Sequence, residues 1–194
     1  MNSTSLRSLC AAAAVAAFGV ALVGCTTTRP SDRASSTSSR ASIDAQVDAS
    51  LSKLYASVPD SRELVASSRG VLVFPAVVGA SFGVGAEYGR GALRVGGRTQ
   101  AYYSTTAGSL GFQAGAQSKA VIYLFTTQDA LDKFRNSRGW TVGADATVAA
   151  ATLGANGRID TNTIRQPVVG FVLTNVGLEA GVSLQGAKIT EVRL

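Results

Sequence analysis

Residues 110–117 read Leu-Gly-Phe-Gln-Ala-Gly-Ala-Gln, and the same alternation recurs at three other places along the chain. Side chains on a strand alternate in direction, so Leu110, Phe112, Ala114 and Ala116 share one face. Gly111, Gln113, Gly115 and Gln117 share the other. Segment 82–89 sets Phe82, Val84, Ala86 and Tyr88 against Gly83, Gly85, Glu87 and Gly89. Segment 142–150 sets Val142, Ala144, Ala146, Val148 and Ala150 against Gly143, Asp145, Thr147 and Ala149. Segment 177–184 sets Leu178, Ala180, Val182 and Leu184 against Gly177, Glu179, Gly181 and Ser183. Glycine weakens a strand, so repeated use in one register needs a cause. Either sharply coiled strands bend at these points, as in a small barrel or sandwich, or something packs against bare backbone. A ligand, a helix or a second sheet would each do so.

Outward from these segments the pattern is mixed. Val71-Leu72-Val73-Phe74 is a continuous apolar run, as in a strand covered on both faces. Further strands are expected at Ala101–Thr105, Ala120–Phe125, Val168–Thr174 and Lys188–Val192. Gln128–Arg135 reads as a short helix with Ala130, Leu131 and Phe134 inward and Thr127 as its cap. Asn156-Gly157 signals a turn, and Pro167 the entry to a strand. Upstream, Ile43, Val47, Leu51, Leu54, Tyr55 and Val58 follow helical spacing, and Pro59 ends the run. Asp60 and Glu63 have the spacing of a capping box for a second, short helix, with Gly70 as its stop. The expected fold is therefore α+β. A curved, mostly antiparallel Gly-rich sheet, sandwich- or barrel-like, is covered by N-terminal helices and one short inserted helix. A membrane-spanning barrel is the rival, but the 13 aromatics do not form the girdles it needs.

The N-terminus carries an address. Arg7 is followed by Cys10–Val23, an apolar run too short to span a bilayer and close to the limit of a signal-peptide core. It ends in Leu22-Val23-Gly24-Cys25, which resembles a bacterial lipobox. Residues 1–24 are then a lipoprotein signal peptide. Residues 25–42 are the lipidated Cys25 and a flexible Ser/Thr/Arg-rich tether, and 43–194 a single domain. Cys10 leaves with the signal and Cys25 takes the lipid, so the mature domain has no thiol for a disulfide, a nucleophile or a metal. Thr26, rather than Asp, after Cys25 favours the outer membrane by resemblance to sorted lipoproteins. The expected location is that membrane, lipid-anchored on its periplasmic face. Arg29, Arg33 and Arg40 of the tether either touch anionic headgroups or keep it soluble.

The chemistry is sparse. The chain has 194 residues and no His, which excludes a His-based triad, a His-ligated zinc and a haem proximal His. Gly79–Gly83 spells a G-x-S-x-G nucleophile elbow, yet it runs into a strand rather than a helix. No catalytic residue, cofactor or metal set is expected. The enzyme rival is a glycosidase-like pair drawn from Glu87, Asp145 and Glu179. Basic residues form two groups, Arg90, Arg94 and Arg98 around a predicted hairpin and Lys133, Arg135 and Arg138 after the short helix. Arg suits bidentate phosphate contacts. The same arginines also serve as charge on a solvated edge. Residues 41–194 hold 14 basic and 11 acidic groups, a net +3 too weak for nucleic acid.

Three stretches resemble the SYLF domain, a lipid-binding module of eukaryotic trafficking proteins and bacterial lipoproteins. They are Arg69–Pro75 (RGVLVFP), Gly108–Gln117 (GSLGFQAGAQ) and Gly177–Gly186 (GLEAGVSLQG). The helix Ile43–Val58 stands where that family has an N-terminal helix. The resemblance implies binding of phosphoinositide or another anionic phospholipid, and in some eukaryotic members association with actin. A periplasmic protein meets no actin, so the lipid half transfers. The expected ligand is anionic phospholipid, its headgroup met by Arg90, Arg94 or Arg98 and by Gln113 and Gln117. The competing class is a scaffold that holds an envelope protein or peptidoglycan.

Overall fold

The sheet is built on a ribbon that is too long to be straight. In the computed structural model the described residues are 32–153, 158–179 and 184–194, with backbone alone at 32–35, 80–84, 109–117 and 161. Strand β1 spans Gly70–Val95 and β2 spans Arg98–Phe125, 26 and 28 residues. At about 3.3 Å per residue each would reach roughly 85 Å if flat. A domain of this size is only about 40 Å across. The turn between them is Gly96-Gly97, both with positive φ, as a two-residue hairpin requires. The strands expected at 71–74 and 82–89 are thus parts of β1, and those at 101–105, 110–117 and 120–125 parts of β2.

Three register shifts bend this ribbon, between Phe74 and Val77, Ser81 and Gly83, and Leu93 and Arg94. The first contains Pro75, which has no N–H to give the ladder. The result brings β1 back alongside itself. A Cβ at Gly89 would lie 2.9 Å from the Ala76 carbonyl oxygen, and one at Gly91 would collide with that of Val73. Gly79 is filled by the Glu87 side chain. The bare backbone is covered by the other half of the same strand.

The remaining elements are α1 (Asp32–Ser57), α2 (Ser61–Ser67), α3 (Gln128–Asn136), β3 (Trp140–Thr141), β4 (Ala149–Ala150), α4 (Thr161–Ile164), β5 (Val168–Thr174), β6 (Gly177–Leu178) and β7 (Lys188–Val192). The far edge of β2 pairs with β7 over Tyr102–Thr106 and with β5 over Ala120–Phe125. The order is β3-β7-β2-β5-β4, with β1 on β2 and β6 on β5. Only β4 on β5 is parallel. This is a curled, mostly antiparallel sheet of α+β class, a half-barrel.

Each face of the sheet has its own core. Val71, Val73, Ile122, Leu124 and Phe171 pack with Ile43, Val47, Leu51, Leu54 and Val58 of α1. Leu72, Phe74, Tyr123 and Phe125 pack on the other face with Leu131 and Phe134 of α3 and with Trp140. Both clusters draw only on residues from Ile43 onward, and Ser31–Leu194 is one compact unit, so this unit carries its own core.

Five local expectations change. Helix α1 begins at Asp32, so the tether expected over 25–42 is helical in its second half. Propagating an existing helix adds one hydrogen bond per residue and does not need apolar spacing. Arg40 in that extension donates to the Leu194 carbonyl. Asp60 stands before α2 at φ 64°, but its carboxylate caps nothing and accepts from Arg158 Nε at 2.7 Å. The Ser61 hydroxyl donates instead to the Val58 carbonyl at 2.6 Å, closing α1. Gly70 starts β1 rather than stopping α2, because Leu131 Cδ1 would meet its Cβ at 2.8 Å. Segment 142–150 is not one strand: 143–145 form a turn in which Gly143 has φ +91° and Asp145 Oδ2 accepts from the Thr141 N–H at 2.6 Å, and only Ala149–Ala150 is strand. Of segment 177–184 only Gly177–Leu178 is strand, and 180–183 lie outside the described residues, as do Asn156 and Gly157.

Candidate ligand groove beside helix α1

Helix α1 carries its apolar stripe into the sheet and two carboxylates along the border of that stripe. Asp44 accepts from Thr99 Oγ1 and from the Tyr102 hydroxyl, each at 2.9 Å. Asp48, one turn on, accepts from Arg94 Nη1. Arg94 Nη2 also donates to the Asp44 carbonyl at 3.2 Å. The helix is thereby fastened to the β1–β2 hairpin by polar contacts at one end and by apolar packing along its length. Arg94 holds the Asp48 carboxyl below its ordinary range, mainly through their hydrogen bond. Burial, aided by the bond to Asp44, holds the Tyr102 phenol above its own.

Where α1, α2 and the hairpin turn diverge, they leave a groove of about 400 Å³. Leu51, Tyr55, Val65 and Val71 form its apolar wall, and Ser52, Ser68 and the ion pair of Asp48 with Arg94 add polar groups. That size suits a small ligand or the headgroup and glycerol of a larger one. The Arg94 side chain is 15% exposed, and its Nε is buried with no hydrogen-bond partner. Gly96 and Gly97 line the groove; Arg98, next in the chain, is exposed and pairs with Val95, which packs on the α3 side of the sheet. Arg62 lies 4.4 Å over the Tyr55 ring, a second cation against the same wall. Burial raises the Tyr55 phenol, and Arg62 and Arg94 oppose that shift.

The candidate residues are thus distributed unevenly. Arg94 lines the groove, and Arg98 is not among its lining residues. Arg90 is exposed farther along β1, its Nε donating to the Tyr88 hydroxyl at 3.0 Å. The side chains of Gln113 and Gln117 and all of Cys25 lie outside the described residues; the Gln117 backbone sits opposite Gly79 in the ribbon. Glu87 is paired with Lys119 Nζ at 2.9 Å where β1 folds back. Asp145 caps its own turn, and Glu179 is exposed beyond β6. Among the described residues no group of three His, Cys, Asp or Glu is placed to hold a metal ion. Residues 79–83 are strand, without the strand-to-helix turn of a nucleophile elbow.

Sequence reasoning missed Asp44, Asp48, Tyr55 and Arg62 as parts of this region. The available signal was the pair Asp44 and Asp48 flanking the stripe of Ile43, Val47 and Leu51. Carboxylates at that border need a partner on the surface the stripe covers.

Residues 106–193 match the model of the family Ysc84, described as Las17-binding protein actin regulator. This stretch is a SYLF domain. No curated protein matches the chain. The SYLF match begins within β2 and runs through β7, so it includes the all-buried Ala120–Phe125 segment and β5. It leaves out α1, α2, β1 and the hairpin turn, and every lining residue of the groove precedes it in the chain. The resemblance of Arg69–Pro75 and of the N-terminal helix lies outside the matched stretch.

Proposed function

We propose that this protein is a lipid-anchored, non-catalytic module of the cell envelope whose SYLF domain and flanking helices bind anionic phospholipid. The observation that carries this reading is the groove beside α1, where an apolar wall meets Arg94 and where Arg62 lies over the Tyr55 ring. An amphiphile with a phosphate headgroup has the matching chemistry: an apolar part for Leu51, Tyr55 and Val65 and an anion for the guanidinium groups. Its acyl chains exceed a 400 Å³ groove, so they stay in the bilayer while the headgroup and glycerol are held. In this reading Cys25 is acylated and holds the domain at the periplasmic face of the outer membrane. The engagement of Glu87 by Lys119 and of Asp145 by its turn supports the non-catalytic reading over a carboxylate pair.

The test is flotation of residues 32–194, without the acyl anchor, on vesicles of phosphatidylcholine alone or mixed with phosphatidylglycerol. Binding is expected to the anionic vesicles only, and to fall as salt screens the contacts. Arg90→Gln with Arg98→Gln should weaken it roughly tenfold or more, at about 1 kcal/mol per basic residue near an anionic surface. Equal binding to both vesicle types would contradict the headgroup reading. For the anchor, cells fed a clickable fatty acid should label the wild-type chain and not Cys25→Ala.

A further inference from the structure

The turn between β5 and β6 carries a side chain with no folded-state role. Thr174 pairs with Gly177, leaving Asn175-Val176 as the two turn residues, and Gly177 has φ +128°. Turn positions favour Gly, Asn and Asp, whereas Val is a strand residue. Val176 is nevertheless there and is 99% exposed. The turn is rigidly mounted, since β5 is buried along Val168–Leu173 and Leu178 packs against the α1-side core. Asn175 shares a shallow groove with Lys53 of α1 and with Ser118 and Lys119 of β2. Val78, the ladder partner of Ser118, is itself 50% exposed.

Both grooves flank α1 on the same side of the sheet, one along Asp48, Ser52 and Tyr55 and the other along Ala49 and Lys53. Between them the exposed back of the helix presents the small residues Ala45, Ala49, Ser52 and Ala56, with Gln46 and Asp48 beside them. A flat surface can therefore approach this side closely. We propose that Val176 is a membrane anchor: it enters the headgroup layer of an anionic bilayer that lies against the α1 side of the domain. The inference rests on the lipid reading and adds which surface faces the membrane and which side chain enters it. Lys53 supplies an accompanying cation at the tip. The acids on this side include Asp44, bonded to Thr99 and Tyr102, Asp48, paired with Arg94, Asp60, paired with Arg158, and the exposed Glu63 and Glu179.

The experiment uses the fact that residues 32–194 contain no cysteine. Val176→Cys carrying an environment-sensitive fluorophore is mixed with phosphatidylcholine–phosphatidylglycerol vesicles, with Asn136→Cys on α3 as the comparison across the sheet. The label at 176 should shift to the blue and be quenched by lipids brominated near the headgroup, and the label at 136 should do neither. Val176→Asp should weaken flotation about tenfold without changing the melting temperature. If the domain floats but the label at 176 stays in water, or Val176→Asp floats like wild type, the anchor is elsewhere. The lipid reading then survives and this inference does not. A domain that does not float at all overturns both. A label buried only by another protein assigns the tip to a protein partner and also overturns the inference.

Discussion

Strand β2 has the same partner, β1, along its whole length and very different surroundings at its two ends. Over Ala120–Phe125 it lies between β1 and β5, an apolar core covers each face, and every residue is buried. Over Tyr102–Thr106 it lies between β1 and β7, and burial alternates, with Tyr103 and Thr105 covered and Tyr102 reaching Asp44 at the edge of α1. The first end is fixed by apolar area. The second is fixed in part by hydrogen bonds to a helix that arrives from more than fifty residues earlier. The stiff end makes the fold, and the polar end positions the helix and with it the groove.

The sharpest way to break this arrangement is at the place where the two halves of β1 meet. Gly91→Val puts a branched side chain against the Val73 carbonyl, where neither backbone can move, and should cost about 4 kcal/mol or more in urea unfolding. Gly108→Ala, with nothing within 4 Å of its Cβ, should cost less than about 1 kcal/mol. Similar losses at both would mean that β1 does not fold back on itself.

Next in size is the buried end of β2. Ile122→Ala should lose about 2–5 kcal/mol, since the residue is fully buried among the α1-side core. Asp44→Ala at the polar end should lose less, about 1–3 kcal/mol, because it leaves the Thr99 and Tyr102 hydroxyls without their acceptor. A larger loss for Asp44→Ala than for Ile122→Ala would invert the comparison.

The smallest effect is a pH dependence. Burial pushes the Tyr103 phenol up to about 12, with Glu191 adding to the shift and Arg135 opposing it. The unfolded chain releases that proton near 10 and the folded chain holds it, so stability falls as pH rises from about 10 to about 12. Tyr103→Phe should flatten part of that fall in thermal melts taken across the interval. An unchanged alkaline limb would place Tyr103 in solvent.

The elements whose periodicity is strong were readable from sequence. Val168–Thr174, Lys188–Val192 and the helix after Thr127 occur as expected, because continuous apolar runs and a capped amphipathic turn each have one stable solution. The glycine alternation was ambiguous between bending and an external occupant; at Gly89 the other half of β1 is the occupant, whereas Gly143 meets Gln185 and Gly177 meets nothing within 4 Å. Segment 142–150 shows how alternation misleads: Ala, Gly and Thr satisfy a period of two without preferring an extended chain, and Gly143 takes a turn conformation. The groove was half legible. Arg94 stands out as a cation at a hairpin, but its neighbours Asp48 and Tyr55, and Arg62 over the Tyr55 ring, come from other elements, and only the fold brings them together.

The central claim is that the α1 side of the domain meets anionic lipid. Hydrogen–deuterium exchange of residues 32–194, with and without phosphatidylglycerol-containing vesicles, reads this directly. The account predicts slowed exchange at Gly96-Gly97, along Asp48–Ala56 and at Asn175–Gly177, with Gln128–Asn136 of α3 unchanged. Protection confined to α3, or vesicle binding with no protection beside α1, would contradict it.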